Sequence, residues 1–197
     1  MLVTPIDHGL ELGASKNPRS SGLHLSEIYN DLFACLEPKR YKAGAPVNKA
    51  LLEAGILFEE MLERAFVLRL QETVGRPGEL VSEEGVKCSP DLFIFDAEDN
   101  FRIGEIKLTW KSSRDVPREP GENGFPVKFK KNFVQMMGYC HVARTPYARL
   151  ISFFVNGQYI PGPPEPELLA WDIEFSTQEL RENWAMLINH ARDREML

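Results

Sequence analysis

The sequence predicts a mixed α/β fold in which helices flank one central mixed β-sheet, and three observations carry that prediction. Apolar residues recur at helical spacing in four segments, and shorter alternating or apolar runs of strand type lie between them. Gly- and Pro-containing breaks separate the segments, as in GRPGE at 75–79. At 197 residues the chain is long enough for a substantial core, and a single domain over 1–197 is expected.

The first helix is predicted over 25–36 (LSEIYNDLFACL), with Ser26 as N-cap and Pro38 just beyond its end. A loop over 37–46 leads to a longer helix over about 48–72, whose buried stripe is Phe58, Met61, Leu62, Ala65 and Phe66. After GRPGE come strands at 80–86, 91–95 and 101–108, the last two joined by a turn at 97–100. A basic loop over 111–127 precedes a helix at about 131–143. An apolar strand at 148–155 and a strand around 171–175 follow. Ser176, with Glu179 three residues on, forms a capping-box pattern that opens a final helix to about 192.

Composition excludes several classes. Apolar stretches reach only about six residues, as at 150–155, against the roughly 20 that a membrane helix needs. The N-terminus lacks a basic start followed by a long apolar core, so no secretory signal is expected and the protein is placed in the cytoplasm. Cys35, Cys88 and Cys140 are too few and too dispersed for a disulfide framework or a four-thiolate iron-sulfur cluster, and are expected as buried thiols. His8, His24, His141 and His190 have no ligand spacing, so no zinc site is expected. There is no GxxxxGK[ST] or GxGxxG loop, which leaves nucleotide hydrolysis and dinucleotide binding without support.

The net charge of −6 is unevenly spread. Between Lys107 and Lys131 seven Lys/Arg face three acids, a local excess of four positive charges, so the remainder carries −10. A solvated face and a phosphate-binding segment are both open readings of such a run.

The chemistry concentrates in SPDLFIFDAEDNFRIGEIKL. Glu105 and Lys107 lie two apart on one strand and so share a face, while Ile106 points into the core. With the turn centred near Glu98, Phe95 pairs with Phe101 and Asp91 with Glu105, which gathers two carboxylates and an ammonium. Such a group can hold magnesium, which polarises a phosphoryl group and activates a bound water. A surface hairpin with an ordinary Glu–Lys ion pair is the plainer alternative.

Pro90-Asp91, followed after thirteen intervening residues by Glu105-Ile106-Lys107, resembles the signature of the PD-(D/E)XK nuclease superfamily. Gly55-Ile56-Leu57-Phe58-Glu59 resembles the G-x-x-x-(H/E) element of its RecB-type and phage exonuclease-like members, with Gly55 permitting close packing. Gln135-Met136-Met137-Gly138-Tyr139 resembles their Q-x-x-x-Y element. The three elements occur in the family's order, and the resemblance covers about 25–155, roughly two thirds of the chain, with 171–193 packed on that core.

The resemblance implies a restriction-endonuclease-like core and a Mg2+-dependent deoxyribonuclease, with Mn2+ as a substitute. Asp91 and Glu105 are implied as metal ligands, with Glu59 and the Ile106 carbonyl completing the set. Lys107 would position the attacking water and Gln135 would hold the water or the lysine. Tyr139, Lys111, Arg114, Lys128, Lys130 and Lys131 would contact the DNA backbone. Trp110 is expected in the core, with base stacking as the alternative. The implied role is exonuclease-like processing of DNA ends in recombination, repair or replication, of phage or mobile-element type, alongside other proteins of those processes. The other reading from the fold is a catalytically silent module that binds nucleic acid or a protein partner.

Overall fold

Alternation of apolar and polar residues and the length of the crossover decide how the strands assemble. The structure is a computed structural model describing residues 20–41, 49–69, 73–75, 78–95, 101–118, 125, 127–158 and 165–197, with the side chains at 49, 51, 52, 59, 63, 66–69, 73 and 74 outside the description. Its elements are α1 (Leu25–Leu36), α2 (Lys49–Arg69), β1 (Thr73–Gly75), β2 (Leu80–Val81), β3 (Lys87–Cys88), β4 (Leu92–Phe95) and β5 (Phe101–Thr109). They continue with α3 (Lys130–Ala143), β6 (Tyr147–Phe154), β7 (Glu167–Glu174) and α4 (Thr177–Asp193).

Five strands form a mixed sheet in the order β1-β4-β5-β6-β7, and β2 and β3 form a separate pair. Within the main sheet only β5 and β6 run parallel, because the connection between them carries α3 and is long enough for a crossover. The long β5 and β6 supply the sheet's centre. β7 alternates half-buried and exposed residues, as an antiparallel strand with one solvated face does.

Helices cover both faces. On one side, α1, α3 and α4 pack through Leu25, Ile28, Phe33, Met136, Trp184 and Leu187 against Ile103, Leu150 and Phe154. On the other, Phe58 and Leu62 of α2 meet Leu92, Ile94, Ile106 and Ile151. Each large side chain buried in this way contributes roughly 1.5–3 kcal/mol. The predicted capping box is present at α4: the Glu179 N–H donates to Ser176 Oγ at 3.2 Å and the Ser176 N–H donates to Glu179 Oε2 at 2.8 Å.

Several elements differ from expectation. The N-cap of α1 is His24, where the backbone is extended and the N–H donates to Glu27 Oε2 at 3.2 Å; Ser26 already lies inside the first turn. Of the strand expected at 80–86 only β2 forms, followed by a turn that leads into β3, since Ser82 Oγ accepts the Glu84 and Val86 N–H groups and Gly85 adopts φ +82. β1 was not foreseen, and β7 starts earlier than expected, at Glu167. Met61 is exposed because α2 buries only a narrow stripe, and Phe66 lies outside the described side chains. Among the described residues nothing lies within 4 Å of a Cβ placed on Gly55, so no close approach requires that glycine. The turn expected at 97–100 is outside the described residues.

Cys88 and Cys140 are buried as expected, and burial pushes both thiols up to about 12, so they stay protonated. Cys35 is exposed, on the outer side of α1. Among the described residues no helix is long and apolar enough to cross a membrane.

Candidate active site

The β4–β5 ladder pairs Phe95 with Phe101 and Leu92 with Gly104, the register expected from the turn. One step further sets Asp91 opposite Glu105. Alternation then sends Asp91, Glu105 and Lys107 to the face covered by α1 and α3, and Ile106 to the α2 face, where it is buried. The ladder stops here for a local reason. Pro90, next in register, has no N–H to give. The Ile106 N–H donates instead to Asp91 Oδ2 at 2.7 Å, which fixes the carboxylate against the strand edge.

Glu105 is 0% exposed and forms an ion pair with Lys107, whose side chain keeps 31% of its accessibility. Burial opposes the charge on Lys107, but the Glu105 and Asp91 carboxylates outweigh it and hold the ammonium above its ordinary pKa. Lys107 is therefore a cation in this arrangement. Its ammonium is placed to orient a water and to meet negative charge.

From α3, the Gln135 Nε2 donates to the Tyr139 hydroxyl at 2.9 Å. Both are buried, Tyr139 to 4% exposure, so this helix face meets the protein interior, where the sequence reading had it facing substrate. The reason is tertiary: α1 lies over it, and a Cβ on Gly138 would come 2.7 Å from Leu25 Cδ2. Burial and the nearby Glu105 carboxylate push the Tyr139 hydroxyl well above its ordinary value, keeping it neutral. Tyr29 of α1 is a further residue near the site, close to both Lys107 and Tyr139. It was missed because it reads as one more apolar position on the buried stripe of α1. Glu59 sits on α2 directly after the buried Phe58; its side chain is outside the description.

Beside Lys107 opens a cleft of about 250 Å³ lined by Lys107, Leu108, Thr109, Lys111, Phe129 and Asn132. The loop lysines cross-brace its rim, Lys111 Nζ donating to the Lys128 carbonyl at 3.0 Å and Lys128 Nζ to the Ser112 carbonyl at 2.6 Å. Burial, then the charges of Arg40, Lys128 and Lys107, lower the Lys111 pKa. Lys131 is lowered by burial and by Lys111, and its ammonium lies over the Tyr41 ring at 4.9 Å. Arg40, in the turn after α1, joins this group from a segment that carries no motif. Arg114 and Lys130 are exposed. Arg118 is held in an ion pair with Glu167 at 2.9 Å. Trp110 is 40% exposed, since it lies just past the end of β5, beyond the sheet's cover.

The donor set suits a hard divalent cation: two carboxylates at one end of the hairpin, and a peptide edge at Ile106 that has left the ladder. No sulfur or imidazole competes among these residues.

No protein-family model matches the chain. No curated protein matches it either. Solved structures do. The crystal structure of SSO0001 is similar with a TM-score of 0.51 at 14% identity, covering 92% of this chain and 78% of that one. An alkaline exonuclease (LHK-Exo) from Laribacter hongkongensis is similar with a TM-score of 0.50 at 15% identity, covering 89% of each chain. A phage related exonuclease from Haemophilus somnus 129PT has a TM-score of 0.47 at 16% identity, covering 86% of this chain and 79% of that one. The mixed α/β fold described above is thus similar to that of an alkaline exonuclease, a likeness of fold.

Proposed function

We propose that the chain is a metal-dependent nuclease that hydrolyses DNA phosphodiester bonds in an exonuclease-like, end-processing role, with Asp91, Glu105 and Lys107 at its catalytic centre. The observation that carries this reading is the meeting of two carboxylates and an ammonium on one sheet face, at the edge of a cleft rimmed by further lysines. The likeness of fold to an alkaline exonuclease supports it.

Asp91 and Glu105 are assigned as ligands of magnesium, or manganese in its place, with the Ile106 carbonyl and Glu59 as further ligands by motif. Once bound there, such an ion polarises the phosphoryl group and lowers the pKa of its water. Lys107 orients the attacking water and stabilises charge developing on the phosphate oxygens. Gln135 is a positioning residue, fixed by its bond to Tyr139, and Tyr139 acts through Gln135. Lys111, Lys128 and Lys131, joined by Arg40, take phosphates of the strand, with Arg114 and Lys130 as outer contacts. Backbone contacts of this kind carry little base preference.

The test is purified protein with end-labelled linear and closed circular DNA, single- and double-stranded, in magnesium, manganese or EDTA, alongside Asp91→Ala and Lys107→Ala. Metal-dependent cleavage lost in both variants supports the reading, and resistance of circles makes the enzyme an exonuclease. Absence of cleavage under every condition rejects it in favour of a silent binding module.

A further inference from the structure

Away from the hairpin, α1 and α4 bring together three side chains of different chemistry. Asp31 and Cys35 are four apart on α1 and so lie on one face. His190 comes from the last turn of α4. His190 Nε2 lies 2.9 Å from Asp31 Oδ2 and Cys35 Sγ lies 3.9 Å from the same oxygen, and all three ligand atoms fall within 4.8 Å of one another.

We propose that Asp31, Cys35 and His190 form a binding site for a thiophilic divalent cation of the zinc class, which ties α1 to the end of α4. Tetrahedral zinc with bonds of roughly 2.0–2.3 Å sets its ligand atoms roughly 3.3–3.8 Å apart. The observed separations lie on either side of that range, so small rotations of side chains on the surface suffice. The donor set of thiolate, imidazole and carboxylate selects zinc over magnesium, which prefers oxygen alone. Cys35 is exposed and its two partners are half-buried, so the ion has an entry path and a fourth position open to water.

A histidine–aspartate bond across two helices would explain His190 and Asp31 by itself. It would leave unexplained a cysteine on the same face with its sulfur directed at the same oxygen. In the structure the Arg194 guanidinium holds the cation's place, its Nε 3.0 Å from Asp31 Oδ2. That side chain is 54% accessible and free to swing into solvent as the ion arrives. The site was not legible in the sequence, because 154 residues lie between Cys35 and His190.

Cobalt(II) is the probe of choice, added to the full chain in a Glu105→Gln background that removes an active-site ligand. Cys88 and Cys140 are buried and protonated, so a thiolate-to-cobalt charge-transfer band reports on Cys35. We expect that band to develop and to be bleached by zinc. Cys35→Ser abolishes it, and His190→Ala weakens cobalt affinity by about tenfold or more. Circular dichroism confirms that both variants fold. Arg194→Ala, which frees Asp31 from its competitor, tightens binding several-fold. A missing band, a band unaffected by His190→Ala, or weaker binding in Arg194→Ala would each overturn the proposal. Because the readout is spectroscopic, it stands apart from any failure of the nuclease reading.

Discussion

Gly104 lies opposite Leu92 in the ladder that sets Asp91 against Glu105, and Gly104→Ala tests how tightly that ladder is held. A Cβ at this position comes 2.9 Å from Leu92 Cβ and 3.0 Å from Ile94 Cδ1. Carbon atoms are at ease at about 3.5–4.0 Å, so one strand or both side chains must shift by about 0.5 Å or more. Neither has room to do so. Leu92 and Ile94 are fully buried against Phe58, Leu62, Ile106 and Ile151, and Leu92 Cβ is tied directly to the backbone. Overpacking of this kind costs about 1–3 kcal/mol, and the stiffer unfolded chain returns about 0.4–1 kcal/mol. The expected net loss is about 1–2 kcal/mol, or a fall in Tm of about 2–8 °C for a chain of this size. The displaced strand carries Asp91 at its end, so cleavage is expected to fall roughly ten- to hundredfold. Urea unfolding and kcat/KM on the preferred DNA substrate, measured together, are the assay. A variant as stable and as active as the parent would refute the reasoning. Gly55→Ala is the matching control: with open space around its Cβ, it should gain about 0.5–1 kcal/mol from helix propensity.

Three further outcomes follow from the packing and bonding. Tyr139→Phe strips the buried Gln135 amide of its acceptor and should cost about 1–3 kcal/mol, whereas the double variant Gln135→Leu/Tyr139→Phe should recover most stability in denaturant titrations without recovering cleavage. Phe58→Ala, which removes the ring packed 4.9 Å from Phe153 between α2 and the sheet, should lower stability by about 3–5 kcal/mol in the same titration. At the start of α4, Ser176→Ala should cost about 1 kcal/mol near neutrality. There the Ser176 backbone N–H and hydroxyl hold the Glu179 carboxyl below its ordinary 4.5. A depressed folded pKa stabilises above that ordinary value and loses its contribution as pH falls through the lowered one. The gap in urea midpoint between wild type and Glu179→Gln should accordingly close in acid; a gap that widened there would be the wrong sign.

Whatever depends on near neighbours along the chain could be read directly from the residues. Helical spacing located α1, α3 and α4 within a few residues, and the Ser176–Glu179 pair marked where α4 begins. Pleat alternation and a countable turn set the hairpin register, and with it the approach of Asp91 to Glu105 and Lys107. Tertiary structure alone decided which of two amphipathic readings a helix follows and which distant groups meet. Gln135 and Tyr139 looked like a polar, outward face until α1 was laid over it, and Trp110 looked like core until β5 ended before it. Tyr29 came near Lys107, Arg40 near Lys111, and His190 near Cys35, only once the sheet had stacked α1 beside α3 and α4. Spacing along a chain sets the direction of a side chain relative to its own element; the free energy of burying one element's face against another selects what that side chain finally meets.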